Sequence, residues 1–208
     1  MQRHIRKLEV MYMNNIFDEH LEALGLPKPK PVVVIAAETE TPEEMAAVFR
    51  DLQFLELLKE GDKFGFRSDC CVFSADVTKK IDKPTGNDTV RVMCVFKIPP
   101  GLLNEEFQQK VEGFVERNVD HPANRNNLLE YTIWRQTETM DGEISASGYP
   151  PSDPTFVLFL EADNWDRIIQ IAQDPEIQKM GAEARQQFGP ATDSSCFGAN
   201  IVTKLDKH

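Results

Sequence analysis

The step Asp120-His121-Pro122 is where residue types and spacing in this chain best fit acid–base chemistry. Phe107, Val111, Phe114 and Val115 recur at helical spacing to about residue 118. His121 therefore stands at the end of a helix, where unpaired carbonyls favour a positive charge. Asp120 adjoins it and Glu116 lies about one turn back. Both carboxylates favour the imidazolium, a useful state for general acid–base work. Pro122 pushes His121 out of helical geometry, so the helix ends there. The same residues also fit a histidine that only caps its helix from the surface.

The next segment supplies shape. Residues 130–136, EYTIWRQ, form a strand of aromatic and β-branched residues. Alternation puts Tyr131 with Ile133 and Arg135 on one face, and Trp134 with Thr132 and Gln136 on the other. One face meets helices and the other an interior; the mixed face of Trp134 is the more pocket-like. Both aromatics also suit a plain core. Arg125 has the fork geometry for a substrate carboxylate, or is a solvated residue of a polar turn. Asp18, Glu19 and His20 read as a solvated loop. The chain has no GxGxxG, no phosphate loop and no GxSxG. Any chemistry then rests on acid–base groups and an apolar pocket.

Composition narrows the partners. The 208 residues are 41% hydrophobic and 27% charged, enough for a real core. The net charge of −11 with scattered cations argues against nucleic acid. The longest apolar runs are strand-sized, which argues against a membrane span. The N-terminus is basic but carries no apolar run of signal-peptide length. Cys70, Cys71, Cys94 and Cys196 lie in strand-like segments without a CxxC pair, and read as reduced core thiols of a cytoplasmic protein. His4, His20, His121 and His208 show no ligand spacing to them, so no metal site is expected.

The elements that must hold these residues come twice. CVFSADVTKKID (71–82) is echoed by CFGANIVTKLD (196–206), and residues 31–51 align without a gap on 154–174. In that alignment Glu38 meets Glu161, Thr41 meets Asn164, and further along Phe73 meets Phe197; upstream, Leu8-Glu9 meets Leu129-Glu130. The offset is about 123 residues, which marks an internal duplication. Residues 89–208 read as β-α-β-β-α-β, the ferredoxin-like order. Strands are expected at 89–98, 130–136, 155–161 and the C-terminus, with a helix capped by Asn164 and a restart at Asp174-Pro175. Residues 1–82 read as an incomplete copy: strand 8–14, strand 31–38, a helix opened by the capping box TPEE, and strand 70–78. Residues 83–88 are the linker. The stretch DGEISASGYPPSDP reads as loop.

The first copy lacks about 33 residues, equivalent to an initial strand and helix. Either Met1 is an internal methionine of a longer protein or another chain supplies the pairing. Strands 31–38 and 70–78 then lack a shared neighbour, so a homodimer is expected. Phe73 and Phe197 are expected to face the helices.

Residues 107–134 resemble the EthD-type branch of the dimeric α+β barrel superfamily, through the helix bearing Phe107 and Phe114, the Asp120-His121-Pro122 step and the strand after it. NWDRIIQIAQDPEIQKMGAEARQQFG (164–189) is similar to that family's second helix. The resemblance covers 88–206 well and 8–80 partially. It implies two ferredoxin-like sheets packed face to face as a barrel, with a small apolar pocket. It also implies a cofactor-free enzyme for a small aromatic or polyketide-like substrate, by cyclisation, decarboxylation or isomerisation. His121, Asp120 and Tyr131 would be catalytic; Trp134, Arg125 and Phe114 would bind substrate. The other readings are a non-catalytic module for a hydrophobic ligand or partner, and a haem-binding barrel, for which added hemin would give a Soret shift. A fold this permissive does not fix a reaction.

Overall fold

The computed structural model describes residues 3–21, 24–68, 70–84, 86, 88–98, 104–188 and 194–207. The expected break at Pro99-Pro100-Gly101, linker residues Thr85 and Asn87, Gly189-Pro190 and the side chain of Phe107 lie outside these. The first half holds β1 (Lys7–Asn14), α1 (Asp18–Leu21), β2 (Val33–Glu38), α2 (Pro42–Phe49), α3 (Leu52–Gly61) and β3 (Ser74–Asp82). The second holds β4 (Val90–Lys97), α4 (Asn104–Asp120), α5 (Pro122–Asn127), β5 (Glu130–Thr137), α6 (Asp141–Ala146), β6 (Thr155–Ala162), α7 (Trp165–Gln173), α8 (Pro175–Phe188) and β7 (Ser195–Asp206).

All seven strands join one curled antiparallel sheet in the order β2-β1-β7-β4-β6-β5-β3. The α+β class agrees with the sequence reading. β1 pairs with β7, and β3 pairs with β5 at the opposite end. β2 and β3 are therefore the two edges, and share no neighbour among the described residues.

Local rules explain the helix starts. Thr41 accepts a hydrogen bond from the Glu44 amide at 3.2 Å, and Glu44 reaches back to the Glu40 amide at 3.0 Å. Asn164 caps α7 by accepting from the Arg167 amide at 3.2 Å. Asp174 ends α7 and accepts from the amides of Glu176 and Ile177, so Pro175 opens a new helix where no amide donor is needed. Asp51 does the same for α3 and divides what the sequence reads as one helix.

The sheet separates two cores. On the helix-bearing face, Val92, Cys94, Tyr131, Ile133, Phe156 and Leu158 pack against Val111 and Val115 of α4 and Ile168 and Ile171 of α7. On the helix-free face, strand residues pack on one another: Met11, Met93, Val157, Phe159, Phe197 and Ala199, with Trp134 and Phe73 against them. A third cluster joins Leu58 of α3 to Met140, Ile144 and Tyr149 around α6.

Four expectations are corrected. Phe197 is fully buried but faces the helix-free core, and Phe73 packs there half-buried. The strand expected at 70–78 runs Ser74–Asp82, because an edge strand can carry polar residues such as Lys79 and Lys80 that mask its period. The stretch after β5 holds α6, a polar turn and a half that buries Ile144 and whose Glu143 pairs with Arg50. Cys94 and Cys196 are joined as a disulfide, because the β4–β7 register sets them directly opposite; Cys70 and Cys71 take no part in it.

Candidate functional site

The six residues singled out in the sequence divide between the two faces. The α4–α5 corner is built on Asn124, which is buried and donates to the Asn118 carbonyl at 2.7 Å. His121, in that corner, caps α5: its Nδ1 accepts from the Ala123 amide at 3.2 Å. Its Nε2 lies 3.8 Å from Asp174 Oδ1. Asp120 and Arg125 pair with each other at 2.5 Å on the surface. Phe114 and Tyr131 belong to the helix-bearing core. Burial pushes the Tyr131 hydroxyl far above the ordinary tyrosine range. Trp134 alone of the six lies on the helix-free face, stacked on Phe159 with ring centroids 6.4 Å apart.

That face carries a charged cluster which the motif reading missed. Glu161 lies two residues beyond Phe159 on β6, so both point the same way. The residue is 4% exposed. Its Oε2 accepts from Arg91 Nε at 2.9 Å, while its buried Oε1 has no hydrogen-bond partner among the described residues. The β5–β6 register sets Glu130 opposite Glu161. Glu130 accepts from Thr132 Oγ1 at 2.6 Å and pairs with Lys79 at 3.0 Å. Two carboxylates and two cations thus gather at one end of an aromatic floor. The available signal was the alignment itself, where Glu9 meets Glu130 and Glu38 meets Glu161.

A groove of about 660 Å³ opens elsewhere, between Asp62, Arg67, Ser68 and the Gly148-Tyr149-Pro150 turn. Arg67 donates from Nε to Asp62 Oδ1 at 2.6 Å and from Nη1 to the Ser147 carbonyl at 2.8 Å. Its hydrogen bond holds the Asp62 carboxyl below the usual range. Gly148 has φ +87°, a conformation that favours glycine, and a Cβ there would push Arg67 Nη1 aside. Burial, with the nearby Cys70 second, pushes Tyr149 up to about 12 from 10.0. A raised folded value binds the proton more tightly. Its contribution to stability is thus intact below pH 10 and is lost as pH rises through about 12. In a spectrophotometric titration Tyr149 is expected to ionise only as pH nears about 12 and Tyr131 later still, with alkaline unfolding; reversible ionisation of all three tyrosines near pH 10 in folded protein would contradict this.

Among the described residues, no group of three or more His, Cys, Asp or Glu is placed to hold a metal ion, and no helix is long and apolar enough to cross a membrane. No described protein family and no curated protein matches the sequence. Two solved structures are similar in fold. A candidate monooxygenase from Fusobacterium nucleatum subsp. nucleatum matches over 98% of this chain and 97% of its own, with 11% identity and TM-score 0.49. An anthrone oxidase-like protein matches over 99% of this chain and 96% of its own, with 8% identity and TM-score 0.54. The second likeness, at that low identity, is one of fold: the chain has the α+β barrel type of architecture.

Proposed function

We propose that this protein is an enzyme that binds a small aromatic molecule against the helix-free face and moves a proton on it with Glu161, without a cofactor. The observation that carries the reading is the unpaired, buried Oε1 of Glu161, two residues along β6 from Phe159, on which Trp134 stacks. A buried carboxylate oxygen without a donor is costly, and a substrate hydroxyl or an acidic C–H offers one. Oε1 would take a proton from carbon beside a carbonyl. The electron pair left behind would move to the carbonyl oxygen as an enolate. Arg91 and Lys79 supply positive charge at that end of the face to stabilise it. Isomerisation, cyclisation and decarboxylation all pass through such an anion. The name of the anthrone oxidase-like neighbour fits an aromatic substrate.

The architecture we read as two ferredoxin-like units, 1–82 and 89–208, joined by 83–88, with the EthD-type resemblance lying in the second. Supporting this are the order β7-β4-β6-β5 of the last four strands, the matched caps Thr41 and Asn164, and the pairing of each half's last strand with the other half. A second reading keeps His121 as the acid–base group, with Asp120 next to it in sequence, Tyr131 on β5 as a further catalytic group, and Arg125, Phe114 and Trp134 binding the substrate. Its support is the approach of Nε2 to the Asp174 carboxylate.

Deuterium wash-in from heavy water into a panel of aromatic ketones, followed by NMR, tests both readings. Exchange is expected with wild type, with a loss of roughly 10²-fold or more in Glu161→Gln and none in His121→Ala. The reverse pattern moves the chemistry to His121. Quenching of Trp134 fluorescence without any exchange means a non-catalytic binding module.

A further inference from the structure

The segment around β2 reads Lys28-Pro29-Lys30-Pro31, then VVVIAA, then Glu38-Thr39-Glu40. Its charges are antisymmetric about Val34: lysines six and four residues before it, glutamates four and six after. All four charged residues are exposed.

The backbone is prepared for a neighbour. The Val32 carbonyl accepts from the Met13 amide and the Glu38 carbonyl from the Arg6 amide. Even-numbered residues of β2 therefore turn their backbone groups to β1, and Val33, Ile35 and Ala37 turn theirs to the open edge. Val33 and Ile35 are also 55% and 54% exposed on the helix-bearing face, beside Tyr12 at 42%. The other edge, β3, carries Val77 at 58% exposure, so the two edges do not close on each other.

We propose that β2 pairs antiparallel with β2 of a second copy of this chain, about a two-fold axis through Val34. In that register Val33 stands opposite Ile35 of the second copy, and both are residues whose backbone groups face the edge. The two symmetric pairs exchange four N–H···O bonds. Lys30 meets Glu38 and Lys28 meets Glu40 across the axis. The exposed Val33 and Ile35 side chains cover one another. An axis through Ile35 would instead set Glu38 against Val32 and Pro31 against Thr39, which loses the charge match. Glu40 is also paired with Arg6, and Lys28 lies 3.8 Å from Asp18. Both are surface pairs that exchange partners at little cost. Pro29 and Pro31 have no amide proton, which confines the ladder to the middle of β2.

Light scattering and sedimentation of the intact chain test the proposal. A dimer is expected at micromolar concentration, weakening as salt rises. Lys30→Glu should weaken it by roughly tenfold or more, because two attractive pairs become repulsive. Lys30→Glu combined with Glu38→Lys should restore it, which a folding defect would not. In a Cys70→Ser, Cys71→Ser background, Val34→Cys should cross-link the dimer on mild oxidation and Ile35→Cys should not. Three results would overturn the proposal: a monomer at every concentration, leaving the edge to some other extended segment; a dimer indifferent to Lys30→Glu; or cross-linking through Ile35→Cys in place of Val34→Cys.

Discussion

Phe197→Ala is expected to destabilise the protein by about 3–5 kcal/mol. The ring is fully buried among Met11, Met93, Val157 and Phe159, a layer built from strands on a single face of one sheet. Among the described residues no helix contributes to that cluster, and the strands are held in register by β1 and β4 on either side of β7. The vacated volume should therefore persist as a cavity. Phe73→Ala removes the same atoms from the aligned position, but that ring is half-buried before β3 begins. About 1–2 kcal/mol is expected there, since water already reaches part of it. Urea midpoints at unchanged slope would measure both. Equal losses would mean that the two aromatics share one environment, against the packing described.

The second large effect is an asymmetry. Arg91 is 30% exposed at its side chain and Glu161 only 6%. Arg91→Met strands a carboxylate in a site with few donors, and about 3 kcal/mol of stability should go. Glu161→Leu leaves a guanidinium that can still reach water, at about 1 kcal/mol. The double variant, which removes both charges and adds apolar volume, should recover most of the loss seen with Arg91→Met alone. A thermodynamic cycle of the three variants gives the coupling directly. Independent, additive losses would show that the ion pair does not hold the site together.

Strand and helix periods were legible wherever one face is buried and the other wet. Val90, Val92, Cys94 and Phe96 announced β4, and Asn164 announced α7. Faces were harder. In β7 the run Cys196, Phe197, Gly198 and Ala199 is buried throughout. Alternation cannot say which of those side chains meets helices when both sides are dry. That is why Phe197 was expected on the wrong side. The Cys94–Cys196 link was hidden for the same reason, since it depends on a register across 102 residues. His121 drew attention because its neighbours in sequence are acidic. In three dimensions Asp120 turns to Arg125, and the histidine ring serves a backbone amide. Glu161 drew none, because a glutamate closing the run TFVLFLE looks like the end of a strand. Its partner Arg91 is distant in sequence and adjacent only through the β4–β6 pairing.

The strand order also sets a timetable. β1 docks between β2 and β7, and the side chains of Asn14 and Asn200, 186 residues apart in sequence, are hydrogen-bonded at 2.9 Å. β3 is held by β5 at the far end of the sheet from β1 and β2, the other strands of its half. During synthesis the first three strands thus emerge with no permanent seat. β5 receives β3 well before β7 is made, but β1 must wait until β7 has left the ribosome. Until then Met11 and Val34 stay uncovered, and the β1–β2 hairpin is a sticky, half-wet ribbon. Long-range pairing of this kind folds slowly. A nascent chain of this topology has most need of chaperone shelter in the interval before β7 arrives.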